Sequence, residues 1–204
     1  MTARPVVHIV DDDDSLRSAM ERLLTAAGRE VRAYASSGEF LLDPPADAPG
    51  CLLLDVRLPG PSGLDLQEAL KRHRIALPVI FLTGHGDLQT GVRAMKAGAV
   101  DFLTKPVERD VLFDAVDRAL AVDAARRAER QSASDLQTRY AQLTPREREV
   151  FELVVAGQLN KQIAGQLGIG ERTVKAQRAQ VMAKLGAATA AELGRIAAQL
   201  RAST

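Results

Sequence analysis

Five short apolar runs, separated by amphipathic segments, fill the first part of this chain and restrict its fold more than any other feature. The runs cover residues 6–10, 30–34, 51–55, 78–83 and 100–104. Between the first two runs, Leu16, Met20, Leu23 and Ala27 recur at the spacing of one helix face. Strands that alternate with helices form parallel sheets, and strands that are apolar throughout are buried on both faces. The pattern therefore predicts a doubly wound α/β domain with helices on both faces of a parallel sheet.

The last part of the chain has helical periodicity only. Helices are predicted over residues 145–156, 160–167, 171–185 and 189–200. Thr144, Pro145 and Glu147 have the order of an N-cap, a first helical residue and a capping-box partner. A small all-α domain of four helices is expected here. The segment before it, rich in Ala, Arg, Glu and Gln, predicts a helical linker, either a surface for a partner helix or a solvated spacer.

Charge is divided unevenly between these two parts. Residues 144–204 contain nine Lys and Arg against five Asp and Glu, whereas the whole chain has a net charge of only +1. A basic tail behind a mildly acidic front indicates two modules with different partners. No apolar stretch approaches the roughly 20 residues of a membrane span, and the N-terminus does not resemble a secretion signal. A cytoplasmic protein without a membrane partner is expected, with Cys51 as a buried apolar residue.

Polar residues follow several predicted strands at their carboxyl ends. Asp11 and Asp12 follow the first run, Asp55 ends the third, Thr83 ends the fourth and Lys105 follows the fifth. Ligands of parallel α/β sheets bind outside the carboxyl ends of the strands, so these side chains are expected on one rim. Carboxylates are ligands of Mg²⁺, beside which one carboxylate could attack a phosphoryl group. The hydroxyl and the amine could then hold the transferred oxygens.

Four motifs in this part of the chain resemble the successive signatures of the response-regulator receiver domain. They are VDDDDSLR, LLLDVRLPGPSGLDL, FLTGHGD and AGAVDFLTKP. The resemblance implies a five-stranded sheet in the order 2-1-3-4-5 and a phosphoacceptor role for Asp55, with a sensor histidine kinase as donor. It also implies that Asp12, Asp55 and the backbone carbonyl of Arg57 bind Mg²⁺ directly, and that Asp11 binds it through water. Asp13 and Asp14 are expected to begin the first helix, where negative charge suits the helix dipole.

Further roles around the phosphoryl group follow from the same resemblance. Thr83 and Lys105 would bind phosphoryl oxygens, and the Lys105–Pro106 bond would be cis. Thr83 and Phe102 would form a switch pair in which the ring follows the hydroxyl inward, although Phe102 could equally be part of the core. We hypothesise that the lifetime of the phosphorylated state is set by Arg57 and His85.

Residues 160–185 have the pattern of a helix-turn-helix, in which Gly168 permits the tight turn. The second helix has one apolar face and an outer face of amide and cationic side chains, which suits the major groove. DNA contacts are expected at Thr173, Lys175, Ala176, Gln177 and Arg178, with Lys161 and Lys184 as phosphate clamps. A small bundle with a charged surface is the alternative explanation of the same pattern.

The stretch that begins LTPREREV and ends ELGRIA resembles the LuxR-type DNA-binding domain over its whole length. Gln177, Gln180 and Gly170 differ from the His, Arg and Ser that are common there, which puts the target sequence in doubt. Both halves together resemble FixJ-type response regulators, close to the FixJ/StyR branch. The expected domains are a receiver over residues 4–121, a helical linker over 122–141 and a DNA-binding domain over 142–204.

The combined resemblance implies a transcription regulator of a two-component phosphorelay, and not an enzyme. Phosphorylation of Asp55 would shift dimerisation through the fourth helix and fifth strand, and the dimer would bind promoter DNA and RNA polymerase. Dimer contacts are expected at Val92, Lys96, Phe102, Leu193 and Ile196, although the apolar stripe of the last helix could equally pack within its own bundle. Two alternatives are a phosphorylation-independent DNA-binding regulator and a Mg²⁺-dependent phosphohydrolase; the latter family needs a second Asp at position 57.

Overall fold

The computed structural model describes residues 4–45, 48–84 and 88–202, and contacts between Cα atoms divide the chain into two units, Met1–Arg126 and Arg127–Thr204. The strands are β1 Val6–Val10, β2 Glu30–Tyr34, β3 Gly50–Asp55, β4 Val79–Thr83 and β5 Asp101–Thr104. The helices of the first unit are α1 Asp14–Ala26, α2 Ser37–Leu42, α3 Gly63–Arg72, α4 Leu88–Lys96 and the first part of α5 Arg109–Ala141. The second unit adds α6 Pro145–Val155, α7 Asn160–Leu167, α8 Glu171–Leu185 and α9 Ala190–Ala202.

The first unit is a parallel sheet in the order β2-β1-β3-β4-β5, which confirms the predicted topology. Successive side chains of a strand point to opposite faces, and both faces here are apolar. Cys51 and Leu53 of β3 belong to the core layer beneath α1 and α5. Leu52 and Leu54 belong to the opposite layer, beneath α2, α3 and α4. Burial on both faces explains why the central strands β1, β3 and β4 read as nearly continuous apolar runs, whereas the edge strands β2 and β5 are only partly buried.

The start of α1 separates the four consecutive aspartates into two pairs. Asp13 is the N-cap, and its Oδ1 accepts hydrogen bonds from the backbone N–H groups of Ser15 at 2.9 Å and Leu16 at 3.1 Å. Asp14 is the first residue of the helix, where a negative charge faces the positive end of the helix dipole. The prediction that these two residues begin a helix is confirmed, and Asp11 and Asp12 remain at the end of β1.

The second unit is a helical bundle around one apolar core. Thr144 and Glu147 form the predicted capping box at the start of α6. Gly168 ends α7 in the left-handed conformation, with φ 66°, as the tight turn before α8 requires. The end of α5 packs on this bundle, because the ring of Tyr140 lies 5.5 Å from that of Phe151.

The division between the two units, at Arg126 and Arg127, falls inside α5 and within the segment 122–141 that is expected as a helical linker. None of the helices in the described part of the chain has the length and apolar character that crossing a membrane requires.

Candidate metal centre and nucleic-acid interface

Asp11, Asp55 and Lys105 meet at the carboxyl ends of β1, β3 and β5. The Nζ of Lys105 donates hydrogen bonds to Asp11 Oδ2 at 2.7 Å and to Asp55 Oδ2 at 2.5 Å. Asp11 is fully buried, and Asp55 is 7% exposed. The strand register places these groups together, because Val10 lies beside Leu54 in adjacent strands. One ammonium therefore joins two carboxylates that stand 44 positions apart in the numbering.

Burial and hydrogen bonding act in opposite directions on the pKa values of Asp11 and Lys105. Burial raises the pKa of Asp11, and the hydrogen bonds from Lys105 and from the Asp13 N–H only partly oppose this change. Burial alone would lower the pKa of Lys105, but its hydrogen bonds to Asp11 and Asp55 and their negative charges raise it instead. Lys105 is thus held in its charged form by the two carboxylates that it contacts.

The carboxylates of Asp11, Asp12 and Asp55 could hold a metal ion. One oxygen from each lies within 4.8 Å of the others, so a single cation can interact with all three residues. Both oxygens of Asp11 already accept hydrogen bonds, Oδ1 from the Asp13 N–H at 3.0 Å and Oδ2 from Lys105. Asp12 is exposed to solvent. The donor set is entirely oxygen, which is the preference of a hard divalent cation such as Mg²⁺.

The other predicted residues of this site lie around the carboxylates. Thr83 is 1% exposed, and its Oγ1 donates to the carbonyl of Gly84 at 3.2 Å. The backbone N–H of Lys105 donates to the carbonyl of Thr83 at 2.6 Å, and the Lys105–Pro106 bond is cis. Arg57 has an exposed side chain, and its N–H donates to Asp55 Oδ1 at 2.9 Å. His85 lies outside the described residues.

Two residues that support the site were not assigned a role from sequence. Arg17 of α1 donates from Nη1 to the carbonyl of Asp11 at 2.6 Å and also pairs with Asp14, which ties the acidic loop to the helix that follows. Gly63 begins α3 against the Asp55 backbone, where an added Cβ would lie 2.2 Å from the Asp55 carbonyl oxygen. Both residues stand within the motifs quoted above, but their contacts are formed only in three dimensions.

The surface of α4 and β5 contains the predicted switch and dimer residues of the first unit. The ring of Phe102 is half-buried and lies over Gly91, where an added Cβ would be 2.9 Å from Phe102 Cε1. Val92 is 48% exposed and Met95 is 46% exposed, and Lys96 is also exposed. The ring is therefore part of the packing against α4 and stands next to an exposed surface that contains apolar side chains.

Only some of the residues predicted to contact DNA lie on the exposed face of α8. Val174, Val181 and Leu185 are buried and define the inward face of this helix. Side chains on the outward face include Thr173, Lys175 and Ala176, and Lys161 is exposed at the start of α7. These four side chains are accessible to solvent, which is a condition for the predicted contacts with DNA.

Lys184 differs from the expectation that it is a free phosphate clamp. Its Nζ donates to Glu147 Oε2 at 2.6 Å and to the carbonyl of Gln142 at 3.3 Å. The hydrogen bond from Lys184, together with one from the Thr144 N–H, lowers the pKa of Glu147. Position 184 lies beside the buried stripe of α8, so the long side chain turns toward the start of α6. Lys184 is a brace within the bundle.

Gln177 and Arg178 also lie closer to the bundle than predicted, because both flank the buried stripe and both are only partly exposed.

In α9, Leu193 is fully buried in the core of its own bundle, and Ala197 is 3% exposed. This burial agrees with intramolecular packing and removes Leu193 from the set of available dimer contacts. Ile196 keeps part of its surface exposed.

Comparisons with known proteins agree with this division into two sites. Residues 7–117 match the response regulator receiver domain, and residues 141–197 match the bacterial regulatory proteins of the luxR family. The chain is 45% identical to nodulation protein W of Bradyrhizobium diazoefficiens, over 98% of this chain and 88% of that protein. It is 43% identical to the transcriptional regulatory protein FixJ of Rhizobium meliloti, over 94% of each chain.

Two solved structures of response regulators are similar to this chain over nearly its full length. The structure of the response regulator StyR covers 97% of this chain and 100% of its own, with a TM-score of 0.86 and 43% identity. Full-length FixJ from B. japonicum covers 98% of this chain and 99% of its own, with a TM-score of 0.61 and 37% identity. The chain therefore belongs to the two-component response regulators of the FixJ and StyR type, which are DNA-binding transcriptional regulators and not enzymes.

Proposed function

We propose that a sensor histidine kinase phosphorylates Asp55 in the presence of Mg²⁺ and that this modification turns on promoter binding by the second unit. The observation that supports this most directly is the contact of Lys105 with both Asp11 and Asp55 beside the exposed Asp12. A carboxylate nucleophile, a set of metal-binding oxygens and a phosphate-binding ammonium then occupy one rim of the sheet. Together they supply what transfer of a phosphoryl group to a carboxylate requires.

The residues of this rim have separate roles in the proposed reaction. Bound Mg²⁺ would neutralise the carboxylates and the phosphoryl oxygens as charge develops. Asp12, Asp55 and the carbonyl of Arg57 would hold it directly, and Asp11 would hold it through water, since both oxygens of Asp11 accept hydrogen bonds. An oxygen of Asp55 attacks the phosphorus of a phosphohistidine, the P–N bond breaks, and its electron pair stays on the imidazole of the kinase. Lys105 then contacts a phosphoryl oxygen.

The proposed switch begins at Thr83. Its hydroxyl turns from the Gly84 carbonyl to a phosphoryl oxygen, and the ring of Phe102 moves inward toward the space beside it. The ring movement changes the surface around Val92 and Lys96, where two receivers pair. Arg57 and His85 set the lifetime of the acyl phosphate, and unchanged lifetimes in both Arg57→Ala and His85→Ala would discard that assignment.

Dimerisation presents two second units to paired half-sites in promoter DNA, with Lys161, Thr173, Lys175 and Ala176 at the DNA surface. Ile196 is the remaining candidate contact between two copies of α9. RNA polymerase is the proposed further partner at the promoter. We assign the receiver to residues 4–121, the helical linker to 122–141 and the DNA-binding domain to 142–204. We also place the protein in the cytoplasm, where its kinase and promoter partners are found.

Incubation with acetyl phosphate and Mg²⁺ tests this proposal, with Asp55→Asn as the matched control. We expect a phosphorylated species in the intact mass of the unmutated protein, a larger sedimentation coefficient and tighter binding to DNA selected from a random pool. Asp55→Asn keeps the size of the side chain but is not expected to accept the phosphoryl group. Absence of phosphorylation contradicts the proposal, equal DNA binding by both proteins supports a phosphorylation-independent regulator, and multiple turnover of the donor indicates a phosphohydrolase.

A further inference from the structure

Arg178 occupies an unusual position for a residue that contacts DNA. It follows Val174 by four residues and precedes Val181 by three, and both valines are fully buried, so Arg178 begins on the inward side of α8. Lys175 and Ala176 are exposed on the outward side. A side chain that starts inward cannot extend straight to the floor of the major groove, and it must leave the bundle along the neighbouring helix.

The guanidinium of Arg178 reaches the first residue of α7. Its Nη1 donates a hydrogen bond to Oδ1 of Asn160 at 3.1 Å, and both residues are partly buried. A guanidinium has five N–H donors, so this bond leaves others for a second partner. The amide also restricts a long side chain that would otherwise lose considerable conformational freedom when DNA binds.

The partner of Arg178 is neutral, which distinguishes it from the other cation of α8 that lies beside the bundle. Lys184 bonds to the carboxylate of Glu147, so much of its positive charge is balanced within the unit. Within the described ranges, the structure pairs Arg178 with no carboxylate. The amide of Asn160 thus holds the guanidinium in place and leaves its charge available to an anion outside the unit.

The surroundings of Asn160 indicate which part of DNA that anion belongs to. Lys161 is exposed beside it, and Leu159 before it is 69% exposed, so the start of α7 faces solvent. In a helix-turn-helix the first helix crosses the sugar–phosphate backbone, and the second lies in the groove. A cation held at the start of the first helix therefore meets a phosphate, not a base edge.

On the basis of the proposed DNA-binding function, we infer that Asn160 is a positioning residue that holds Arg178 as a phosphate-binding group. Arg178 then contributes affinity without choosing the base sequence. The reading of bases is left to the exposed positions of α8, among them Thr173 and Lys175. This assignment differs from the sequence-based expectation, in which Arg178 pairs with base edges.

A mutant cycle on the phosphorylated full-length protein tests the inference, using two DNA probes. One probe is a duplex that the unmutated protein selects from a random pool, and the other is a duplex with a scrambled sequence. We expect Arg178→Ala to weaken binding to both probes by a similar factor, roughly tenfold. The slope of log affinity against log salt concentration should be shallower by about 1.8 for the dimer, the value for two lost phosphate contacts, one from each subunit.

Asn160→Ala should weaken binding by roughly threefold, as expected when an immobilised side chain becomes free, and should leave the salt slope unchanged. In the Arg178→Ala background, the same substitution should have no further effect on DNA binding. Gln166→Ala, at an exposed position of the same helix, is the matched control and should bind as the unmutated protein does. Melting temperatures of all variants separate loss of DNA contact from loss of folding.

Three results would overturn the inference. A change in the preferred base sequence of Arg178→Ala would make it a base reader. An equal loss from Asn160→Ala with and without Arg178 would mean that Asn160 acts on DNA by itself. No loss from Asn160→Ala alone would mean that the hydrogen bond has no role in binding. If the unmutated phosphorylated protein binds neither probe, the proposed function fails instead, and the two failures are therefore distinguishable.

Discussion

His8 should make the stability of the first unit depend on pH in a defined window. This residue is 2% exposed in the middle of β1, its Nδ1 lies 3.3 Å from the hydroxyl oxygen of Tyr34, and its ring contacts that of Phe40. Burial, with a smaller contribution from the charge of Arg32, lowers the pKa of His8 from 6.5 to about 4. The folded unit therefore keeps His8 neutral where the unfolded chain already binds a proton.

The sign and size of the effect follow from proton linkage. Between pH 4 and 6.5 the unfolded state binds more protons than the folded state, so the free energy of unfolding rises with pH across this window and is level above it. A difference of about 2.5 pKa units corresponds to about 3 kcal/mol over the whole window. His8→Leu removes the titrating group, and its free energy of unfolding should lack this contribution.

Urea unfolding at a series of pH values measures the difference between the two proteins. The chain has two tyrosines and no tryptophan, so in a Tyr140→Phe background the fluorescence of Tyr34 reports on the first unit alone. Every other ionisable group is the same in both proteins, so its contribution to the pH dependence cancels in the difference. A difference in unfolding free energy that stays constant from pH 7 to about 4 would refute the reasoning.

Three further predictions follow from contacts described above. Gly63→Ala places a Cβ 2.2 Å from the Asp55 carbonyl oxygen, so thermal unfolding should show that the free energy of unfolding falls by about 1–3 kcal/mol. Phosphorylation of Asp55 should also slow. Gly38→Ala is the control, because its Cβ meets its nearest atom at 3.7 Å. An unaffected Gly63→Ala protein would contradict this packing. Mg²⁺ should raise the melting temperature of the unmutated protein by binding the folded state, and Asp12→Asn should reduce that shift in a titration by differential scanning fluorimetry. An equal shift in both proteins would exclude Asp12 as a ligand. Glu147→Gln should destabilise the second unit by about 1 kcal/mol in chemical denaturation, because it weakens the cap of α6 and removes the ion pair with Lys184. The control Glu149→Gln, at an exposed position, should change the free energy of unfolding less. The reverse order would be inconsistent with Lys184 as a brace within the bundle.

The sequence predicts the sheet and its rim well for a specific physical reason. Strands buried on both faces must be apolar throughout, so the first polar residue after each run marks the end of a strand. Asp11 and Asp55 are such residues, and Lys105 directly follows the edge strand β5. Parallel strands bring their carboxyl ends together regardless of the distance along the chain. Helix ends were predictable where a single residue sets them, as Thr144 does for α6 and Gly168 for α7.

The direction of side chains beside an apolar stripe was not predictable in the same way. Lys184 and Arg178 both flank the buried face of α8, where a long side chain can turn outward or along a neighbouring helix. Their partners, Glu147 and Asn160, lie 37 and 18 residues earlier, and helical periodicity contains no information about such distant pairs. Leu193 presents the same difficulty, because an apolar stripe has the same spacing whether it packs within a bundle or against another subunit.

The contact of Lys105 with Asp11 and Asp55 has a consequence for the order of events at the rim. An ammonium already bound to Asp55, the proposed acceptor, competes with an incoming cation for the same carboxylate oxygens, so metal affinity would include the cost of displacing it. A phosphoryl group on Asp55 offers the ammonium a new anion and removes that competition. Phosphorylation of Asp55 should then raise the affinity for the metal, and bound metal should shift the phosphorylation equilibrium toward the phosphorylated form by the same factor. Lys105 would thus act as an internal competitor of the metal in the unphosphorylated site, and phosphorylation of Asp55 would remove this competition.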